Sequence, residues 1–144
     1  MTRLSEDQYF IDMALSSFKR GPCLRRAVGC VLVDSLGYML STGFNGNPHG
    51  QSHCIDVPCP GANKPSGTDL DKCEAIHAEI NALMHCKDIG AVHKCYTTTS
   101  PCIHCVKALL ATQCTEIIFL QEYPHTESKD LWLKSNRKWT HHVN

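Results

Sequence analysis

Apolar and polar positions alternate in three different ways along this chain, and each way predicts a different element. Between Ser5 and Arg20, residues Tyr9, Phe10, Met13, Ala14 and Phe18 recur at helical spacing. Ser5 or Thr2 is placed to cap this helix, and Gly21-Pro22 stops it. Val28 to Asp34 is a β-branched apolar run with strand character. Ser35-Leu36-Gly37 reads as a turn, and Tyr38 to Thr42 as the return strand of a hairpin. Gly43 to Lys72 has little periodicity and is rich in proline and glycine. A loop of this length inside a compact domain implies a function or something that pins it. Regular patterning resumes with a helix over Cys73 to Cys86, whose apolar side carries Ile76, Ile80, Leu83 and Met84. A strand over Lys94 to Thr99 follows, then a helix over Cys102 to Thr112 opened by Pro101. Glu116 to Leu120 is a strand and Glu127 to Lys138 a last helix. Strands joined through helices imply parallel pairing late in the sheet and a layered α/β domain.

Composition narrows the class. With 42% apolar and 19% charged residues in 144 positions, a single folded domain spanning residues 1–144 is expected. Fourteen Lys and Arg balance fourteen Asp and Glu, so the basic excess of a nucleic-acid binder is missing. No aromatic-basic stripe suggests a polynucleotide substrate either. The first residues carry Glu6, Asp7 and Asp12 and no long apolar run, unlike a signal peptide. No stretch reaches membrane-spanning length. The expectation is a cytoplasmic chain without a membrane partner. In such a reducing compartment, ten cysteines read as metal ligands and buried thiols, not disulfides. Cys30, Cys86, Cys95 and Cys114 lie in apolar segments and read as core thiols. His104, His125, His141 and His142 read as solvated.

Two short motifs carry chemistry: His77-Ala78-Glu79 and Pro101-Cys102-Ile103-His104-Cys105. Catalytic zinc takes three N or S ligands and keeps a fourth position open, and His77, Cys102 and Cys105 supply that set. Cys102 and Cys105 would share one face of a helical turn, and the positive helix end would favour their thiolates. Zinc brings the pKa of water toward neutrality, and a nearby carboxylate then takes the proton; Glu79 is the candidate. Residues two apart point to nearly opposite sides of a mid-helix, so His77 and Glu79 reach one site only at a first turn. A purely structural zinc site would leave Glu79 without a role.

A second cysteine group, Cys23, Cys54, Cys59 and Cys73, lies in the long loop and at its flanks. Four sulfurs close a tetrahedral zinc shell and would pin the loop. His49 or His53 are alternative ligands, and four unrelated thiols are the bland alternative.

H-x-E followed by P-C-x-x-C resembles the signature of the zinc-dependent cytidine and deoxycytidylate deaminase superfamily. H-A-E-I-N-A-L from His77, S-P-C-I-H-C-V-K from Ser100, G-F-N-G from Gly43 and R-A-V-G-C-V-L-V from Arg26 resemble the dCMP deaminases of that superfamily, including small bacterial and viral forms. The likeness runs from about Ser5 to Tyr123. It implies a central five-stranded mixed sheet with helices on both faces. It implies zinc-dependent hydrolysis of dCMP to dUMP and ammonia, with Glu79 shuttling protons without ligating the metal. Asn45 would meet the sugar or phosphate, and Arg26 the phosphate, which arginine recognises with a planar fork. Asn81, Ser100 and Tyr123 would line or support the pocket. A second zinc, a hexamer, and regulation by dCTP and dTTP are further implications. A dCTP deaminase, or an enzyme for both nucleotides, shares these motifs. The non-enzyme alternative is a zinc-stabilised nucleotide-binding module.

Overall fold

The structure, a computed structural model, describes residues 2–20, 27–46 and 76–144. Helix α1 (Glu6–Phe18) starts at Ser5, whose hydroxyl accepts the Gln8 N–H. Strands β1 (Gly29–Val33) and β2 (Met39–Phe44) form the expected hairpin. Helix α2 (Ala78–Met84) follows, then β3 (Lys94–Thr99), α3 (Ile103–Leu110), β4 (Glu116–Gln121), α4 (Glu127–Lys134) and β5 (Lys138–His141). The five strands lie in the order β2-β1-β3-β4-β5. β1 is antiparallel to both β2 and β3, while β3–β4 and β4–β5 are parallel. The sheet is therefore mixed, with its parallel half at the end of the chain as expected.

β1 is buried along its whole length because both faces of the sheet are covered. Val31, Val33, Tyr96 and Ile118 face α1 through Phe10, Ile11 and Ala14. Cys30, Leu32, Cys95, Ile117 and Phe119 face the other way, in one cluster with Ala78 and Ala82 of α2, Leu109 of α3 and Trp132 of α4. Two glycines permit this closeness. A Cβ on Gly29 would strike the Ala14 carbonyl oxygen, and one on Gly43 would strike the Ala78 carbonyl oxygen. The Cys30 and Cys95 sulfurs are 3.6 Å apart on adjacent strands. The bond to Cys30, then burial, push the Cys95 thiol well up; for Cys30 the same bond lowers the thiol, but burial and neighbouring negative groups leave it raised. Cys114 is likewise buried, whereas Cys86 is half-buried.

Several expectations need correction. On α1 the buried residues are Phe10, Ile11 and Ala14; Tyr9 and Phe18 are exposed. On α2 the buried face is Ala78, Glu79, Ala82 and Leu83, and Met84 stands in solvent. The last helix ends at Lys134, four residues early. Asn136 adopts φ 60°, a left-handed stop that suits asparagine. The chain then adds β5 to the open edge of β4, where pairing from Glu116↔Lys138 to Phe119↔His141 outweighs local helical propensity. Arg137 fixes this join, donating to the carbonyls of Leu109, Leu110, Thr112 and Cys114 at the end of α3. Among the described residues no helix is long and apolar enough to cross a membrane.

Candidate metal centre

The chemistry gathers at one end of the sheet. Running β1 antiparallel to β3 puts the start of β1, the end of β2 and the carboxyl ends of β3 and β4 on the same side. The carboxyl ends of parallel strands are where α/β folds collect ligands. Here His77, Cys102 and Cys105 place one nitrogen and two sulfurs within 4.8 Å of one another. Each sulfur is 3.4 Å from His77 Nδ1. Tetrahedral zinc with sulfur at about 2.3 Å and nitrogen at about 2.0 Å needs sulfur–nitrogen separations of about 3.5 Å. The donor set and its spacing therefore suit zinc.

Both motifs sit at helix starts, but differently from the simple periodic reading. His77 is the N-cap of α2 and Cys102 the N-cap of α3, each with extended backbone. Cys102 and Cys105 thus do not share a regular helical face; the cap bends Cys102 back beside Cys105. Pro101 precedes the cap instead of opening the first turn. The same bend resolves the difficulty of His77 and Glu79. His77 lies outside the helix and Glu79 in its first turn, so the mid-helix geometry that would point them apart does not apply. Glu79 is wholly buried. Hydrogen bonding from Cys105, opposed by burial and reinforced by His77, lowers the Cys102 thiol to about 3. A lowered thiol favours the thiolate, the form a metal would take.

Ser100 and Tyr123 are brought to the trio. Tyr123 packs with Cys102 and Cys105, joined by the half-buried Ile80, which in sequence is only an apolar helix residue. The Ser100 hydroxyl accepts the Tyr123 N–H at 2.6 Å, so it ties the end of β3 to the segment after β4. Asn45 Oδ1 accepts the Val28 N–H at 2.7 Å, next to the start of β1. The Asn81 amide donates to the Phe44 carbonyl at 2.8 Å. Arg26, Cys23, Cys54, Cys59 and Cys73 lie outside the described residues.

Residues 4–121 match the model of the cytidine and deoxycytidylate deaminase zinc-binding region. The chain is 37% identical over 133 residues to deoxycytidylate deaminase of Schizosaccharomyces pombe, covering 88% of this chain and 41% of that one. It is 33% identical over 131 residues to deoxycytidylate deaminase of Mycobacterium phage D29, covering 85% of this chain and 99% of that one. It thus spans less than half the length of the fission-yeast relative and nearly all of the phage one. The crystal structure of apo dCMP deaminase from cyanophage S-TIM5 has the same fold, with a TM-score of 0.75 at 20% identity, covering 98% of this chain and 100% of that one. With this sequence match over residues 4–121, and a His-Cys-Cys cluster at two helix starts on this sheet, the chain belongs to the cytidine and deoxycytidylate deaminase family.

Proposed function

We propose that this protein is a zinc-dependent hydrolase that deaminates dCMP to dUMP with release of ammonia. The observation that carries the reading is the metal trio with the wholly buried carboxylate of Glu79 in the turn after His77. Likeness to the phage enzyme over nearly its full length supports dCMP as the substrate. His77, Cys102 and Cys105 hold zinc, which when bound supplies the Lewis acidity that makes water a nucleophile near neutral pH. Glu79 takes one proton from the attacking water and delivers it to N3 of the cytosine; it then takes the proton of the new C4 hydroxyl and passes it to the amine, which leaves as ammonia as the C4 carbonyl forms. Asn45 binds the sugar-phosphate part, Arg26 the phosphate, and Ser100, Tyr123 and Asn81 shape the pocket. Tyr123 packing against the metal cysteines supports its place in that wall.

The same reading makes residues 1–144 one deaminase domain, cytoplasmic and homo-oligomeric, a hexamer under dCTP and dTTP control. The free thiols of the described cysteines suit a reducing compartment. Cys23, Cys54, Cys59 and Cys73 hold a second, structural zinc. The test is an assay of purified protein with dCMP, CMP, cytidine, dCTP and single-stranded DNA, with and without dCTP as effector. Conversion of dCMP to dUMP with equimolar ammonia is expected. Preference for dCTP would move the chain to the triphosphate alternative, and turnover of none would leave a nucleotide-binding module.

A further inference from the structure

We infer that Asn81 is a positioning residue, coupling the metal-ligating turn at His77 to the Gly43–Gly46 loop; the kinetic part of this rests on the activity proposed above. Asn81 lies one turn beyond His77 on α2, and its N–H donates to the His77 carbonyl at 2.9 Å. Its side-chain amide donates to two other carbonyls, those of Phe44 at 2.8 Å and Ile76 at 3.4 Å. These are the residues immediately before Asn45 and immediately before His77. The two segments are also joined directly. Gly46 and Ile76 exchange both main-chain hydrogen bonds, at 3.2 Å and 2.8 Å. Asn45 continues the chain of bonds to β1, exchanging bonds with Val28 through its Oδ1 at 2.7 Å and its N–H at 3.3 Å.

A half-buried side chain that spends its donors on main-chain carbonyls acts on backbone position. Asn81 therefore sets the loop that carries Asn45 relative to the ligand His77. Only a donor serves: an ionised aspartate has the same size and no proton to give these carbonyls. The loss of the amide frees the loop and weakens nucleotide binding, leaving the three metal ligands in place.

Two measurements on Asn81→Ala and Asn81→Asp test this, the second variant preserving volume if the first does not fold. The first measurement needs no activity. Hydrogen exchange at the Asn45, Gly46 and Ile76 amides rises about tenfold, while amides of β3 and β4 exchange as in wild type. Unchanged exchange at those three amides, or a uniform rise across the sheet, overturns the coupling. The second is kinetic. KM for dCMP rises about tenfold at unchanged zinc content, and the effect falls below about threefold in an Asn45→Ala background. An effect that multiplies with Asn45→Ala means a direct substrate contact and overturns the role assigned. A wild-type protein inactive on dCMP would remove the activity reading, and the exchange measurement would still decide the coupling.

Discussion

At the scale of single residues, Glu79 and Tyr96 show two ways of keeping a polar group out of water. Burying a carboxylate is costly, and Glu79, at 0% exposure in the first turn of a short helix, carries that cost in keeping with the proton-carrying role proposed for it. Glu79→Gln keeps the volume and removes the titrating oxygen. Turnover is expected to fall about 10²–10⁴-fold with zinc still bound, as metal analysis and steady-state rates will report. Undiminished turnover would take Glu79 out of the proton path. Tyr96 links two elements. Its hydroxyl donates to Asp7 at 2.6 Å, fastening α1 to β3. Burial first, then the bond to Asp7, push the phenol pKa well above its ordinary value. A pKa raised on folding stabilises fully below the unfolded value, about 10, and that contribution is lost as pH climbs through the folded value. Tyr96→Phe is thus expected to cost about 1.5–3 kcal/mol at pH 7 in urea denaturation. The gap to wild type narrows above about pH 10. A gap independent of pH would contradict the assignment.

At the scale of elements, the site depends on how closely α2 lies on β2. The contact is backbone to backbone at Gly43, where an added Cβ would also come within 2.6 Å of the Ala82 nitrogen. Neither atom can turn aside as a flexible side chain would. Gly43→Ala must therefore lift α2 from the sheet, carrying His77 and Glu79 with it. We expect a loss of about 1–3 kcal/mol in thermal or urea unfolding. Weaker zinc retention and lower turnover should accompany it; an unchanged melting curve would show that the helix packs elsewhere. The opposite end of α3 is held by Arg137, whose guanidinium meets four carbonyls and lies 5.1 Å over the Trp132 ring. A cation at a helix C-terminus complements the helix dipole there. Arg137 thereby fixes the helix whose start bears Cys102.

At the scale of the whole molecule, the metal ligands join segments 25 and 28 residues apart in sequence. An ion bound by His77, Cys102 and Cys105 closes the α2–α3 side of the domain, and its binding free energy adds to folding. Removing zinc with a chelator is expected to lower the melting temperature by about 5–10 °C, with recovery on adding zinc back. A melting curve indifferent to chelation would show that the site holds no metal in solution. Metal analysis should give two zinc ions per chain if Cys23, Cys54, Cys59 and Cys73 form the second site, and one if they do not.

Sequence alone was enough for the donor set, the hairpin, the four helices apart from their ends, and the parallel ending of the sheet. These follow from local rules: period, capping residues, turn residues, and the fixed preference of zinc for nitrogen and sulfur. The motifs also carried the family. Tertiary structure decided the rest. It turned His77 and Cys102 into caps, since only the packing of both helix starts at one sheet end brings these two extended residues together with Cys105. It buried Ile11 and exposed Tyr9, Phe18 and Met84, because which side of an apolar helix is covered depends on the surface it meets. It also made a strand of Lys138–His141, four residues whose reason to extend is the open edge of β4. Asn81 belongs to the same class: it is an ordinary helix residue in sequence, and its partners at Phe44 and Ile76 exist only in the fold.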